Sequence, residues 1–270
     1  MSASTDARVA VVTGAAGGIG KAIARDLANH GWSLVLVDVN EREARTAEAE
    51  LGILTAVAIV VADVSDRYTH VLAADAAEQL GTLAGWVNCA GITIREPLHA
   101  ITSDIADQVI GVNQYGSLWG TSVAVDRMRG TGGAIVNMSS VHARASYADF
   151  AVYEMTKAAI EALTRNAAIA YGSQGIRANA VAPGAIMTPA LAASFESAPD
   201  ADGARSDLAE RSALGRIGEA REIASVVTFL LSGAASYVTG QSIVIDGGWT
   251  SMLGRDSADP SRRRTAGGSE

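Results

Sequence analysis

The sequence predicts an α/β fold: one doubly wound domain, with helices on both faces of a mostly parallel sheet of about seven strands. Three observations carry this. Strand-like and helix-like segments alternate along nearly the whole chain, the mark of βαβ units. The strands are continuously apolar, as in Val9-Ala10-Val11-Val12 and Leu34-Val35-Leu36-Val37, which is required where both faces of a sheet are covered. The composition, 49% hydrophobic and 19% charged over 270 residues, supplies a sizeable core and excludes wholesale disorder.

Each element has its own warrant. Arg8–Thr13 is a β-branched strand that runs into glycines. Gly18–His30 has helical spacing and stops at Gly31, where glycine suits a helix end. Ser33–Asp38 is a second strand, the charged Asn40–Leu51 a second helix, and Thr55–Ala62 a third strand. Arg67–Leu80 reads as helix and Gly85–Cys89 as strand. Thr102–Arg129 reads as one long helix, Gly133–Met138 as a strand, and Phe150–Tyr171 as another long helix. Gly175–Val181 is a strand ended by Pro183-Gly184, Glu219–Leu231 a helix, and Ser242–Ile245 the last short strand. No boundary or repeat interrupts the series, so residues 1–253 are expected to form a single domain. Residues 185–215 lack a clear strand and are rich in Ala, Ser, Asp and Pro. Such an insert reads as a substrate lid or as a pair of short surface helices, and the two are compatible. The polar tail 254–270, with Arg262-Arg263-Arg264, is expected to be disordered.

The charge balance excludes several partners. With 21 Lys plus Arg against 29 Asp plus Glu, the net charge is −8. That is no footprint for nucleic acid or for an anionic membrane surface. No apolar run reaches the ~18 residues of a membrane span. The polar Met1–Arg8 has no signal-peptide core, and a single cysteine, Cys89, suits a reducing compartment. A cytoplasmic location is expected. His30, His70 and His99 are scattered, so no metal site is expected.

The chemistry gathers at two places. Thr13-Gly14-Ala15-Ala16-Gly17-Gly18-Ile19-Gly20 joins the first strand to the first helix. Its glycines let backbone approach a ligand closely, and the helix start suits a pyrophosphate. A P-loop is excluded, because Ala15 stands where its first glycine belongs and Ala22 where its Ser/Thr belongs. Asp38 ends the second strand, 18 residues after Gly20. An acid there accepts hydrogen bonds from both adenosine ribose hydroxyls and repels a 2′-phosphate. Val39 and Asn40 beside it are not basic, and neither is Gly17. This points to NAD over NADP; the other reading is that Asp38 only caps the following helix.

The second place is Tyr153-Glu154-Met155-Thr156-Lys157. Positions i and i+4 share a helix face, so the ammonium neighbours the phenol. A nearby cation favours phenolate, so Tyr153 is expected to have a lowered pKa and to act as a general base. Ser140 follows a strand end, 13 residues before Tyr153, where ligands of parallel sheets bind. Its hydroxyl can orient a substrate oxygen. Asn113 lies mid-helix and reads either as holder of a water leading to Lys157 or as a helix-kinking polar residue. His142 and Tyr147, on the loop before the catalytic helix, are candidate substrate contacts; His142 reads equally as a locally satisfied side chain. Trp249 reads as a residue reaching an active site across an oligomer interface or as chain-end packing.

These residues, in this order, resemble the short-chain dehydrogenase/reductase family in its compact single-domain branch. The resemblance spans Ala7 to Trp249 and rests on the glycine loop, Asp63-Val64, Asn88-Cys89-Ala90-Gly91, Asn113, Ser140, Tyr153 and Lys157, Asn179 to Gly184, Thr188, and Asp246-Gly247-Gly248. It implies a Rossmann-like domain and a homotetramer. It also implies cofactor contacts at Gly14, Gly18, Ile19 and Gly20, at Asp63 and Val64 for the adenine, and along Asn88, Cys89, Ala90 and Gly91. Pro183, Gly184, Ile186 and Thr188 would hold the carboxamide side. Tyr153 would be the acid/base, with Lys157 lowering its pKa and binding the nicotinamide ribose, Ser140 orienting the substrate oxygen, and Asn113 completing a proton relay. The family usually carries a second Asn at position 89, and Cys89 is expected to be a small packed residue rather than a nucleophile.

The function expected is an NAD-dependent oxidoreductase interconverting a secondary alcohol and a ketone, running toward oxidation, on a small hydroxylated molecule such as a sugar or polyol. The alternatives are a 3-oxoacyl-thioester reductase, which Gly17 disfavours, and a non-catalytic NAD-binding sensor, which the complete set Asn113, Ser140, Tyr153 and Lys157 disfavours.

Overall fold

A computed structural model describes residues 7–253 of the chain. The expected disorder of 254–270, and the first six residues, lie outside that span. The chain runs β1 (Arg8–Thr13), α1 (Gly18–Asn29), β2 (Ser33–Asp38), α2 (Glu41–Leu51), β3 (Val57–Val61), α3 (Arg67–Leu80), β4 (Thr82–Asn88), α4 (Ser103–Val109), α5 (Gly116–Met128), β5 (Gly133–Met138), α6 (Ala151–Tyr171), β6 (Ile176–Pro183), β7 (Ile186–Met187), α7 (Pro189–Glu196), α8 (Ala201–Glu210), β8 (Gly218–Glu219), α9 (Ala220–Leu231) and β9 (Ser242–Ile245). The main sheet has the order β3-β2-β1-β4-β5-β6-β9 with every pair parallel. β7 and β8 form a small separate pair.

The strands are apolar throughout because alternate residues feed two cores. Ala10, Val12, Leu34 and Leu36 pack with Ile23 and Leu27 of α1 and Ile223 and Val227 of α9. Val9, Val11, Val35 and Val37 point the other way, toward Ala73 and Ala77 of α3, Val123 of α5 and Ala167 of α6. A period of two within an unbroken apolar run thus serves both faces.

Two expectations change. β4 begins at Thr82 rather than Gly85, because the Thr82 amide already bonds the Ala7 carbonyl at 2.9 Å. The long helix expected over 102–129 is divided into α4 and α5 by a π-helical turn at Ile110–Tyr115. Residues 185–215 hold the short helices α7 and α8 beside β7.

Candidate active site

Chain direction reverses at the centre of the sheet: β1 leads outward to β2 and β3, whereas β4 leads to β5 and β6. A crevice opens beyond the carboxyl ends of strands at such a point. Here it is a cleft of about 990 Å³ lined by the glycine loop, Asp38, Asp63, the Cys89–Gly91 backbone, Ser140, Tyr153 and Lys157.

The glycine loop is shaped by contact. Gly14 sits at φ 65°, and a Cβ there would lie 2.8 Å from the Ala90 Cα. A Cβ on Gly20 would collide with the Gly14 carbonyl oxygen. Gly18, at φ 54°, lies under the Thr188 methyl. Gly17 is different: nothing lies within 4 Å of a Cβ placed on it. It neither caps α1 through a side chain nor is followed by an acid in the first turn. Close backbone approach and an uncapped, acid-free helix start fit the diphosphate of a dinucleotide.

Asp38 turns one carboxylate oxygen to the Ala16 amide at 3.0 Å and the other to the Asn40 amide at 3.0 Å. The cap of α2 is Asn40, whose side chain accepts from Glu43 N at 3.3 Å. Asp38 therefore ties the glycine loop to the end of β2 and faces the cleft. Lys21, which also lines the cleft, is paired with Glu50 at 3.0 Å.

Across the cleft, Asp63 and Val64 form one wall, and Ile186, Pro183, Gly184 and Thr188 the opposite one. Thr188 accepts from Leu191 N at 3.2 Å and so starts α7 with Pro189 behind it. Thr13 Oγ1 accepts from both the Cys89 and Ala90 amides, at 3.0 and 3.1 Å. The departure at position 89 thus leaves the backbone path braced from β1. Burial pushes the Cys89 thiol up to about 12, which is the behaviour of a packed residue, not a nucleophile.

The Asn88 side chain serves the sheet rather than the cleft. It turns away from the cleft into the sheet, donating to Asn137 Oδ1 at 2.7 Å and Thr121 Oγ1 at 3.1 Å and accepting from Trp86 Nε1 at 2.9 Å. Asn137 continues to Thr164 at 3.0 Å. This buried chain ties β4, β5, α5 and α6 together, and it explains Gly120, whose Cβ would strike Asn88 Oδ1. Replacing Asn88 by Ala leaves buried groups without their partner and is expected to lower unfolding free energy by about 2–4 kcal/mol, read by urea denaturation.

The catalytic candidates converge at the other end. The Lys157 ammonium is buried, donates to the Met138 carbonyl at 2.9 Å, and lies 5.4 Å from the Tyr153 ring centre. Burial lowers it to about 8, with Cys89 acting in the opposite sense. Tyr153 departs from expectation: burial pushes its phenol up, and hydrogen bonding with Ser140 and Thr93 offsets this only partly. The ammonium points at a backbone carbonyl, so desolvation outweighs it. Ser140 also caps a short turn by accepting from His142 N at 3.2 Å.

Asn113 sits in the π turn, fully buried and outside the cleft lining. Its Oδ1 accepts from Ile92 N at 2.8 Å, and its Nδ2 donates to Ile92 O at 2.9 Å and Thr156 Oγ1 at 3.2 Å. It clamps the loop that carries Thr93 to Tyr153. Thr93 was missed by sequence reasoning; its one signal is its place two residues beyond Gly91. His142 and Tyr147 line not this cleft but a neighbouring cavity, together with Trp249. His142 is locally engaged, with Nδ1 3.3 Å from Glu154 Oε1.

Fold and cleft define a single-domain dinucleotide-type oxidoreductase, and comparison with known proteins narrows this. A family model described as Enoyl-(Acyl carrier protein) reductase matches residues 14–250. The chain is 39% identical over 248 residues to a cis-4-hydroxycyclohexanecarboxylate dehydrogenase of Sinomonas cyclohexanicum, covering 91% of this chain and 97% of that one. It is 38% identical to a galactitol 2-dehydrogenase of Cereibacter sphaeroides, covering 91% and 96%. It also superposes on the crystal structure of a levodione reductase with TM-score 0.86 and 36% identity, covering 92% and 99%. The chain belongs to the short-chain dehydrogenase/reductase family. It is an enzyme acting on CH–OH groups, interconverting a secondary alcohol and a ketone. Among the described residues no helix is long and apolar enough to cross a membrane.

Proposed function

We propose that this enzyme uses NAD(H) and that Tyr153 is its acid/base. The observation that carries the reading is the Tyr153 phenol, set between Ser140 and Thr93 at the cleft edge, one helical turn from Lys157. In the oxidising direction Tyr153 Oη takes the hydroxyl proton of the alcohol while Ser140 Oγ holds the same substrate oxygen. When bound, the nicotinamide supplies the acceptor for the hydride leaving the carbinol carbon. Lys157, held by Met138 O, contributes positive charge behind the phenol as it ionises. Asn113 fixes the Gly91–Thr93 backbone, Gly14, Gly18, Ile19 and Gly20 receive the diphosphate, and Asp38 receives the adenosine ribose.

The relatives compared above are named for a hydroxycyclohexanecarboxylate, galactitol and levodione, which supports a small hydroxylated or cycloaliphatic substrate here. A cytoplasmic homotetramer is part of the same reading; light scattering of the purified chain checks its mass. The test is formation of NADH or NADPH with NAD⁺ or NADP⁺ over a panel of ring alcohols, polyols, sugars and hydroxy acids. Turnover with NAD⁺ in one class is expected; silence throughout overturns the proposal. Exchanging Asp38 for Asn removes the repulsive charge but keeps an acceptor for a backbone amide. It is expected to shift the NAD⁺/NADP⁺ ratio of kcat/KM toward NADP⁺ by roughly tenfold or more, a change of about 1.4 kcal/mol. An unmoved ratio reduces Asp38 to a structural brace.

A further inference from the structure

Beyond Tyr153 lies an aromatic wall. His142 stacks on Phe150 with ring centres 5.1 Å apart, stands edge-on to Tyr153 at 5.8 Å, and stands edge-on to Tyr147 at 6.5 Å. On its far side is a second cavity of about 490 Å³, lined by His142, Tyr147, Arg211, Trp249 and Met252 among others. That volume suits a small ligand.

Among the described residues that line it, Arg211 is the one charged group. The guanidinium carbon lies 5.0 Å from the Tyr147 ring centre and 5.8 Å from that of Trp249, and Nη2 donates to the Tyr147 hydroxyl at 3.3 Å. Glu154, an acid at the wall, is engaged by Tyr147 N at 2.8 Å and by His142 Nδ1 at 3.3 Å. Arg127, Arg144 and Arg216 each hold a carboxylate; Arg211, like Arg8, Arg95 and Arg205, pairs with none among the described residues, but it lies over two rings where each of those lies over one. In a chain with 29 acids, a half-buried guanidinium oriented by two rings and left without an anion is preorganised for one. Its planar donor fork matches a carboxylate in two parallel hydrogen bonds.

We propose that Arg211 binds a carboxylate at the far end of the substrate. The substrate is then a hydroxy acid, and the product an oxo acid. The alcohol carbon faces Tyr153, the apolar middle lies along His142 and Tyr147, and the acid meets Arg211. This rests on the dehydrogenase reading for the alcohol end and adds the substrate class.

The test separates the two. Calorimetric titration of the full chain with cyclohexanecarboxylate and with neutral cyclohexanecarboxamide reads the anion site without turnover. The carboxylate is expected to bind at least tenfold tighter than the amide. Arg211→Gln is expected to abolish that discrimination and Arg211→Lys to keep part of it. Arg95→Gln removes a different guanidinium, 5.2 Å from the Phe150 ring centre, and is expected to leave discrimination intact. Equal binding of acid and amide by the unaltered chain, no binding of either, undiminished discrimination in Arg211→Gln, or the same loss in Arg95→Gln overturns the proposal. Should Arg211→Gln fail to fold, discrimination in Arg211→Lys that matches the unaltered chain also overturns it, since a lone ammonium lacks the fork. Oxidation of cyclohexanol with NAD⁺ is measured in parallel. Turnover without discrimination sinks the carboxylate site alone, whereas discrimination without turnover of any alcohol sinks the dehydrogenase reading alone.

Discussion

Replacing Tyr153 by Phe is expected to lower kcat/KM for alcohol oxidation by about 10³-fold or more while cofactor affinity stays within about threefold. The first figure follows from the usual contribution of a positioned acid/base, about 10²–10⁴-fold. The loss here belongs at the upper end, because the phenol is placed against both Ser140 and Thr93 and, among the described residues, no histidine lines the cleft to replace it. The second figure follows because the change deletes one oxygen from a ring that keeps its packing on His142 and Phe150. Steady-state rates read the first, and quenching of intrinsic fluorescence by NADH reads the second. Residual activity above about a tenth of the parent would assign the proton transfer to another group.

Gly20→Ala provides the second large effect, and its sign is informative. On propensity alone, Ala in a helix is favoured over Gly by about 1 kcal/mol. Here the new methyl meets the Gly14 carbonyl, and its carbonyl carbon lies only 2.7 Å from the Cβ position. Neither atom is the end of a flexible side chain, so the loop must part from α1. Overpacking of this kind costs about 1–3 kcal/mol, and it opens the loop proposed above to receive the diphosphate. The expected result is a lower Tm together with at least a hundredfold weaker NADH binding. An unchanged or raised Tm would show that the loop yields without strain.

Much of this was legible beforehand, for reasons that differ by element. The alternating apolar runs announced β1, β2 and β5 because a strand buried on both faces has no choice but to be apolar. Tyr153 and Lys157 were legible because helical spacing alone makes them neighbours. Their titration was not: the phenol is pushed up by its surroundings, and burial is a property of the folded chain. Asn88 sat within the motif and still turned away from the cleft, since a strand's pleat sends adjacent residues to opposite faces. Arg211 carried no signal and Thr93 only its place two residues beyond Gly91, both being single polar residues in loops. They acquire meaning only when β4, α8 and the start of α6 have brought their neighbours to them.

The π turn at Ile110–Tyr115 has a consequence for angular phase. Residues of an α-helix advance by about 100° each, and a π turn is in effect one supernumerary residue absorbed locally. α4 and α5 are therefore one helix carrying a surplus residue, and the Gly116 amide reaches back five residues to Gly111 instead of four. One turn on, the Ser117 hydroxyl donates to the Asn113 carbonyl at 2.8 Å. Excising one residue between 110 and 115 would restore a regular helix with α5 still facing β4. The Asn113 amide would then swing off the Ile92 backbone. The face that packs and the residue that clamps are set by separate stretches of the same helix, so one can drift while the other is held.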